Sequence, residues 1–147
     1  MGGLTTWAQV MTDLSACLAR ITTANGYTIT VAQVLRGIHQ DADVKRRPAL
    51  TFSTVGGDSA DLTGGLAQRR LGVLVQGFAD AKGGDFSAMH ALAAAAQRAL
   101  VSPTHNPTLH ERVDLGRLTV YEGGLHDPVG LFDLLLTVEF DYDRTNP

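Results

Sequence analysis

Side chains able to do chemistry are few in this sequence, and they are scattered. Glu139, Asp141 and Asp143 recur at every second position near the end of the chain. In an extended strand that spacing puts three carboxylates on one face. Such a row can do acid–base work or hold a hard cation. It equally suits a solvated strand face that discourages edge pairing, or a negatively charged surface in an assembly. His39, His90, His105, His110 and His126 are the histidines, and neither a cysteine pair nor an HExxH segment accompanies them. Zinc needs three or four converging ligands. His105 and His110 share a polar stretch with Asn106 and read as a solvated loop, and His90 reads as a helix-edge residue. Cys17 lies among Ser15, Ala16 and Leu18 inside a helical pattern, which fits a small buried apolar residue better than a nucleophile. "FADAKGGDFSAM" joins a strand to a helix through glycines, but Asp80 and Asp85 would repel a phosphate there. No residue is assigned a catalytic or metal-binding role, no cofactor is expected, and the reading is not an enzyme.

The bulk properties agree with a scaffold. At 147 residues the length suits one domain spanning 1–147. Apolar residues at 44% and charged residues at 18% place it among ordinary globular chains. The formal net charge of −3 argues against a nucleic-acid-binding face. Lys45, Arg46 and Arg47 form the basic cluster, read as a solvated turn. A lone cysteine excludes an internal disulfide framework. "MGGLTTWAQVM" lacks the charged start and apolar stretch of a signal peptide, and its short match to a myristoylation signal, with Thr6 at the sixth position, reads as chance. Nothing approaches the roughly 18 apolar residues of a membrane helix. A soluble protein made in a cytoplasm is expected, with no membrane partner.

The elements follow from periodicity. Trp7, Val10, Met11, Leu14, Leu18 and Ile21 mark an amphipathic helix, with Thr5 or Thr6 as cap and Asn25-Gly26 as stop. "NGYTITVAQVLRG" then predicts a strand, with Tyr27, Ile29, Val31 and Leu35 on one face and Thr28, Thr30, Ala32 and Val34 on the other. "PALTFSTV" predicts a second strand. Gly56 to Gly65, "GGDSADLTGG", reads as a loop from its small, polar composition. Gln68–Ala79 predicts a well-buried strand. A second helix starts near Asp85 and carries Phe86, Met89, Leu92, Ala93, Ala96 and Leu100, with alanines that allow close approach to a sheet. Two more strands are expected over Glu111–Glu122 and Val129–Asp143. The last sets Phe132, Leu134, Leu136, Val138, Phe140 and Tyr142 against an opposite face of Asp133, Thr137 and the three carboxylates. One apolar and one polar face implies an antiparallel sheet with one side open. The class is α+β: a largely antiparallel sheet of about five strands with two helices packed on one face. Leu62 and Leu66 in the loop, and Leu131 and Leu135 on the polar strand face, lack an obvious core partner and mark an interface.

The pieces "ITTANGYTITVAQVLRG" and "RRPALTFSTV", followed in order by a strand, an alanine-rich helix and the closing "LLLTVEFDYD", resemble the tail terminator proteins of long-tailed bacteriophages. The resemblance covers most of the chain as a pattern of elements. It implies a structural virion protein, also described as a minor tail or tail-completion protein. Such a protein forms a hexameric ring on the tail tube protein, stops tube polymerisation and offers a docking surface to the neck or head-completion protein. Genomic DNA would pass through the channel without specific binding, and the site would be the head-proximal end of the tail. Under this resemblance Asp58, Asp61, Leu62, Leu66, Arg46 and Arg47 are candidate subunit- or tube-binding residues, and Glu139, Asp141 and Asp143 would face the channel. A head–tail connector or neck protein, and a small-ligand-binding or enzymatic domain using the open sheet face, are the alternative readings.

Overall fold

The first apolar stripe forms a helix where its period demands one. The computed structural model describes residues 5–37, 44–81, 83–122 and 129–147. Helix α1 spans Trp7–Ala19, and the Thr6 side chain caps it by accepting from the Gln9 N–H. Strand β1 spans Gln33–Arg36, β2 Ala49–Asp61 and β3 Leu66–Asp80. Helix α2 spans Ser87–Leu100, β4 Val113–Tyr121 and β5 Val129–Asp143. The five strands make one sheet in the order β1-β2-β3-β5-β4. Every pairing is antiparallel except β1 with β2. The class is therefore α+β, as expected.

Alternation decides which residues meet the helices. Phe132, Leu134, Leu136, Val138, Phe140 and Tyr142 of β5 share the main core with Leu71, Val73 and Val75 of β3 and with the buried stripes of both helices. The alanines Ala93, Ala95, Ala96 and Ala99 of α2 are buried there, and their small side chains let the helix lie close to the strands. One glycine is fixed by packing. A Cβ at Gly77 would fall 1.8 Å from the Phe132 ring, so the ring occupies the space a side chain would need. The opposite face is mostly open, but at one end Val44, Ala49 and Phe78 form a small second cluster with Leu35 and Leu131.

Three expectations need correction. Tyr27–Ala32 is not strand. After the short 3₁₀ turn Thr23–Asn25, Gly26 takes φ +89°. The following backbone turns back on the end of the helical segment: Tyr27 N–H donates to the Thr22 carbonyl and Val31 N–H to the Ile21 carbonyl, while Ala32 N–H reaches the Pro48 carbonyl just ahead of β2. The bonds of Tyr27 and Val31 occupy donors a ladder would use, and strand pairing covers only Gln33–Arg36. The faces differ too, since Val34 joins Ile29 and Val31 at the main core while Leu35 packs in the second cluster. The second correction concerns the glycine-rich stretch. Gly56–Asp61 continues β2, pairing with β3 in register from Gly56↔Gly72 to Asp61↔Ala67. A bulge at Val55, with Gly56 at φ +143°, shifts the register there, and bulges of this kind bend and twist a strand. β3 accordingly begins at Leu66. Third, Leu131 has a core partner in the second cluster and is not an unpartnered surface residue. Helix α2 begins at Ser87, whose N–H is capped by the Asp85 carboxylate at 3.0 Å.

Candidate assembly surface

The β2–β3 hairpin ends in an arm. The four residues Ala49–Phe52 at the start of β2 are buried, whereas the seven from Val55 to Asp61 are all exposed. Strand pairing holds this arm, and a cluster at the N-terminal end of α1 fixes its stem. The Trp7 indole N–H donates to the Thr54 hydroxyl at 3.3 Å. Behind it the Arg69 guanidinium lies between two rings, 5.5 Å from the Trp7 centroid and 4.5 Å from that of Tyr142. Cations over such ring faces are attracted by the ring quadrupole. Arg69 also donates to the Tyr142 hydroxyl at 3.3 Å, and Ser59 lies 3.2 Å from the same oxygen. The Ser59 hydrogen bond, and secondarily Arg69, hold the Tyr142 phenol below its ordinary value. Trp7, Thr54, Gly56, Gly57, Ser59, Arg69 and Leu71 line a cavity of about 580 Å³ beside the arm.

The structure distributes the expected contact residues over both ends of the hairpin. Asp58 and Asp61 are exposed on the arm. Asp58 stands across from Arg70, which itself stands across from Glu139, so this row lies on the open face. Asp61 points to the other face, in register with the buried Ala67, and its carboxylate lies 3.6 Å from Arg144. Leu62 is exposed at the turn and donates its N–H to the Leu66 carbonyl at 2.9 Å, while Leu66 is half-buried. Arg46 and Arg47 stand at the opposite end, just before β2, where Arg47 pairs with Asp80 at 3.0 Å. A thirteen-residue strand at ~3.3 Å per residue separates the two ends, so these arginines and the arm aspartates form no common patch.

Glu139, Asp141 and Asp143 do share the open face, across from Arg70, Gln68 and Leu66. They are not equivalent. The Asp143 carboxylate accepts from the Thr145 N–H at 2.9 Å and the Thr145 hydroxyl at 2.8 Å. These bonds hold its pKa below the ordinary carboxylate value and make it a turn-forming residue. The second cavity, about 420 Å³, lies on this same face but away from the acidic row, lined by Leu74, Arg117, Thr119, Tyr121, Asp133 and Leu135. Gln76 and Tyr121 both donate to the Asp133 carboxylate there, at 3.1 and 3.3 Å.

The remaining reactive groups are engaged in the fold. His105, His110 and Asn106 do not form a solvated loop. Asn106 is buried and donates its amide to the Leu100 carbonyl at 2.7 Å, closing the end of α2. His105 pairs through Nδ1 with the Tyr27 hydroxyl, and His110 Nδ1 lies 3.0 Å from the Asn106 carbonyl. His90 pairs with Glu122 at 2.8 Å on the surface. His39 and His126 lie outside the described residues, as does Gly2. The buried Cys17 thiol lies 3.3 Å from the Ala99 carbonyl, and burial pushes its pKa up to about 12. Among the described residues no group of three or more His, Cys, Asp or Glu is placed to hold a metal ion, and no helix is long and apolar enough to cross a membrane.

Trp7, Arg69 and Tyr142 were absent from the sequence-derived contact set. Trp7 and Tyr142 carried a signal, their places in the apolar stripe of α1 and in the apolar alternation of β5, and Arg69 carried none. No protein-family model matches the chain, and no curated protein matches it.

Proposed function

We propose that the protein is a structural component of a long-tailed phage. It closes into a hexameric ring on the last ring of the tail tube, stops tube growth, and presents a new surface to the neck or head-completion protein. The observation that carries this reading is the exposed arm. A strand whose last seven residues are exposed, yet whose stem is pinned by Trp7 and Arg69, is built to meet another surface. The resemblance in element order to tail terminators gives that surface its identity.

The mechanism is assembly geometry. One ring face repeats what a tube ring offers and so binds the tube end. The other face differs, so no further tube subunit adds. Closed rings need contacts between unlike patches that return to the start after a fixed rotation. The acidic row Glu139, Asp141 and Asp143 suits a passage for DNA, because basic side chains there would gain affinity from counterion release. Negative-stain imaging of the protein mixed with purified tail tubes tests the reading. Rings seated at one end of each tube, with tube subunit addition blocked, are the expected result. Tube ends left bare and still able to grow would reject it.

A further inference from the structure

The sheet ends in two unlike edges of matching length. β1 covers only Ala49–Phe52 of β2, so Ser53–Asp61, nine residues, has no strand neighbour on that side among the described residues. At the far edge, the nine residues Val113–Tyr121 of β4 have β5 as their strand neighbour on one side and none on the other among the described residues. The strand directions are complementary. β2 and β5 both run antiparallel to β3, and β4 runs antiparallel to β5, so β4 runs opposite to β2. A copy rotated about an axis along the strands therefore brings its β4 beside β2 in the antiparallel sense that an edge accepts readily.

The faces match as well. Leu118 and Val120 stand across from Leu134 and Phe132, which puts them on the helix side of the sheet. They are 37% and 41% exposed, large apolar groups at the rim of the core. The 580 Å³ cavity flanks the free edge of β2 on that same side, with Trp7 and Leu71 as apolar walls. Gly57, in register with Leu71 and so on the helix side, lines it without a side chain. Setting Leu118 across from Gly57 puts Arg117 across from Asp58 on the open face. Both residues are exposed, and neither is in an ion pair among the described residues.

We infer that β4 of one copy adds antiparallel to the Ser53–Asp61 edge of a second copy, with Leu118 and Val120 entering the cavity beside Trp7 and Arg117 pairing with Asp58. The contact joins unlike surfaces, so it repeats from copy to copy, giving a ring where the rotation closes and a filament where it does not. Closure as a ring on a tube rests on the proposed function; the pairing itself does not.

The test is a cross-link in the full chain. Asp58→Cys with Arg117→Cys in one chain gives, on oxidation, a ladder of disulfide-linked multimers in non-reducing gels. Mixing the two single variants gives dimers only, because each copy then carries one half of the contact. Cys17 is buried and stays silent. In the otherwise native chain, Asp58→Arg weakens self-association about tenfold by opposing like charges, and adding Arg117→Asp restores it. An oligomer of the expected mass that forms no cross-link overturns the edge pairing while leaving a ring by another contact. A chain that stays monomeric at every concentration, or an Asp58→Cys variant that cross-links to itself as readily, also overturns it. Cross-linked rings that ignore tube ends support the pairing and remove the tail reading instead.

Discussion

The two halves of the β2–β3 hairpin are held by different forces. Near the start of β2, Leu50 and Phe52 are buried with Val73 and Val75 of β3 under the helices. Burial of apolar area stabilises this half at roughly 25 cal/mol per Å². Beyond the bulge at Val55 the strand carries Gly56, Gly57, Asp58, Ser59 and Ala60, and all are exposed. There the ladder and the Trp7–Arg69–Tyr142 cluster do the holding. The comparison separates stability from interaction: large core changes should unfold the body, while arm changes should alter contacts and leave the body intact.

The largest effect should come from the centre of the body. Phe132 is fully buried against Gly77, and Phe132→Ala should cost about 3–5 kcal/mol. Gly77→Ala should destabilise by driving a methyl into the same ring, and the double variant should recover part of the loss. Urea unfolding of the three variants checks this as a mutant cycle.

Alkaline pH probes the helix–helix contact. The folded Cys17 pKa lies above its ordinary value of 9.0, at about 12, because burial disfavours the thiolate. The folded state thus holds its proton where the unfolded state has lost it. The contribution is fully present below pH 9.0 and is lost as pH rises toward about 12. At about 1.4 kcal/mol per unit it reaches on the order of 4 kcal/mol. Urea midpoints for the native chain and Cys17→Ala should converge as pH is raised from 8 to 11. A constant gap would contradict the buried-thiol account.

At the stem of the arm the effects become smaller. Trp7→Ala removes the bond to Thr54 and one of the two rings on Arg69, and should cost about 1–2 kcal/mol. Hydrogen exchange should rise at Ser53–Asp61 more than in β5, which sharpens the contrast between arm and body. Ser59→Ala should be the mildest change, about 0.5–1 kcal/mol or less. Its clearest signature should be a Tyr142 phenol that titrates at higher pH, because the bond that lowers it is gone.

Regions with a strong side-chain pattern were legible in the sequence. β5 follows its alternation to the residue, Val129–Asp143, and the stripe of α1 marks its buried face. Where side chains are small or bonds are local, the pattern misleads. Gly56–Asp61 has a loop-like composition, yet it is strand because β3 supplies a partner along its full length. Tyr27–Ala32 has strand-like residues, yet Tyr27 and Val31 donate back to the Thr22 and Ile21 carbonyls. The stem cluster was beyond reach for another reason. Trp7, Arg69 and Tyr142 converge only after the sheet places β3 and β5 beside the start of α1. The acidic row was visible as spacing, but the capture of Asp143 by Thr145 was not.

The solution mass of the full chain, measured by light scattering with and without tail tubes, tests the central claim most directly. A closed ring of about six subunits, ~94 kDa, forming alone or on tube ends, is the predicted result. A particle that stays at 15.6 kDa in both conditions would contradict it.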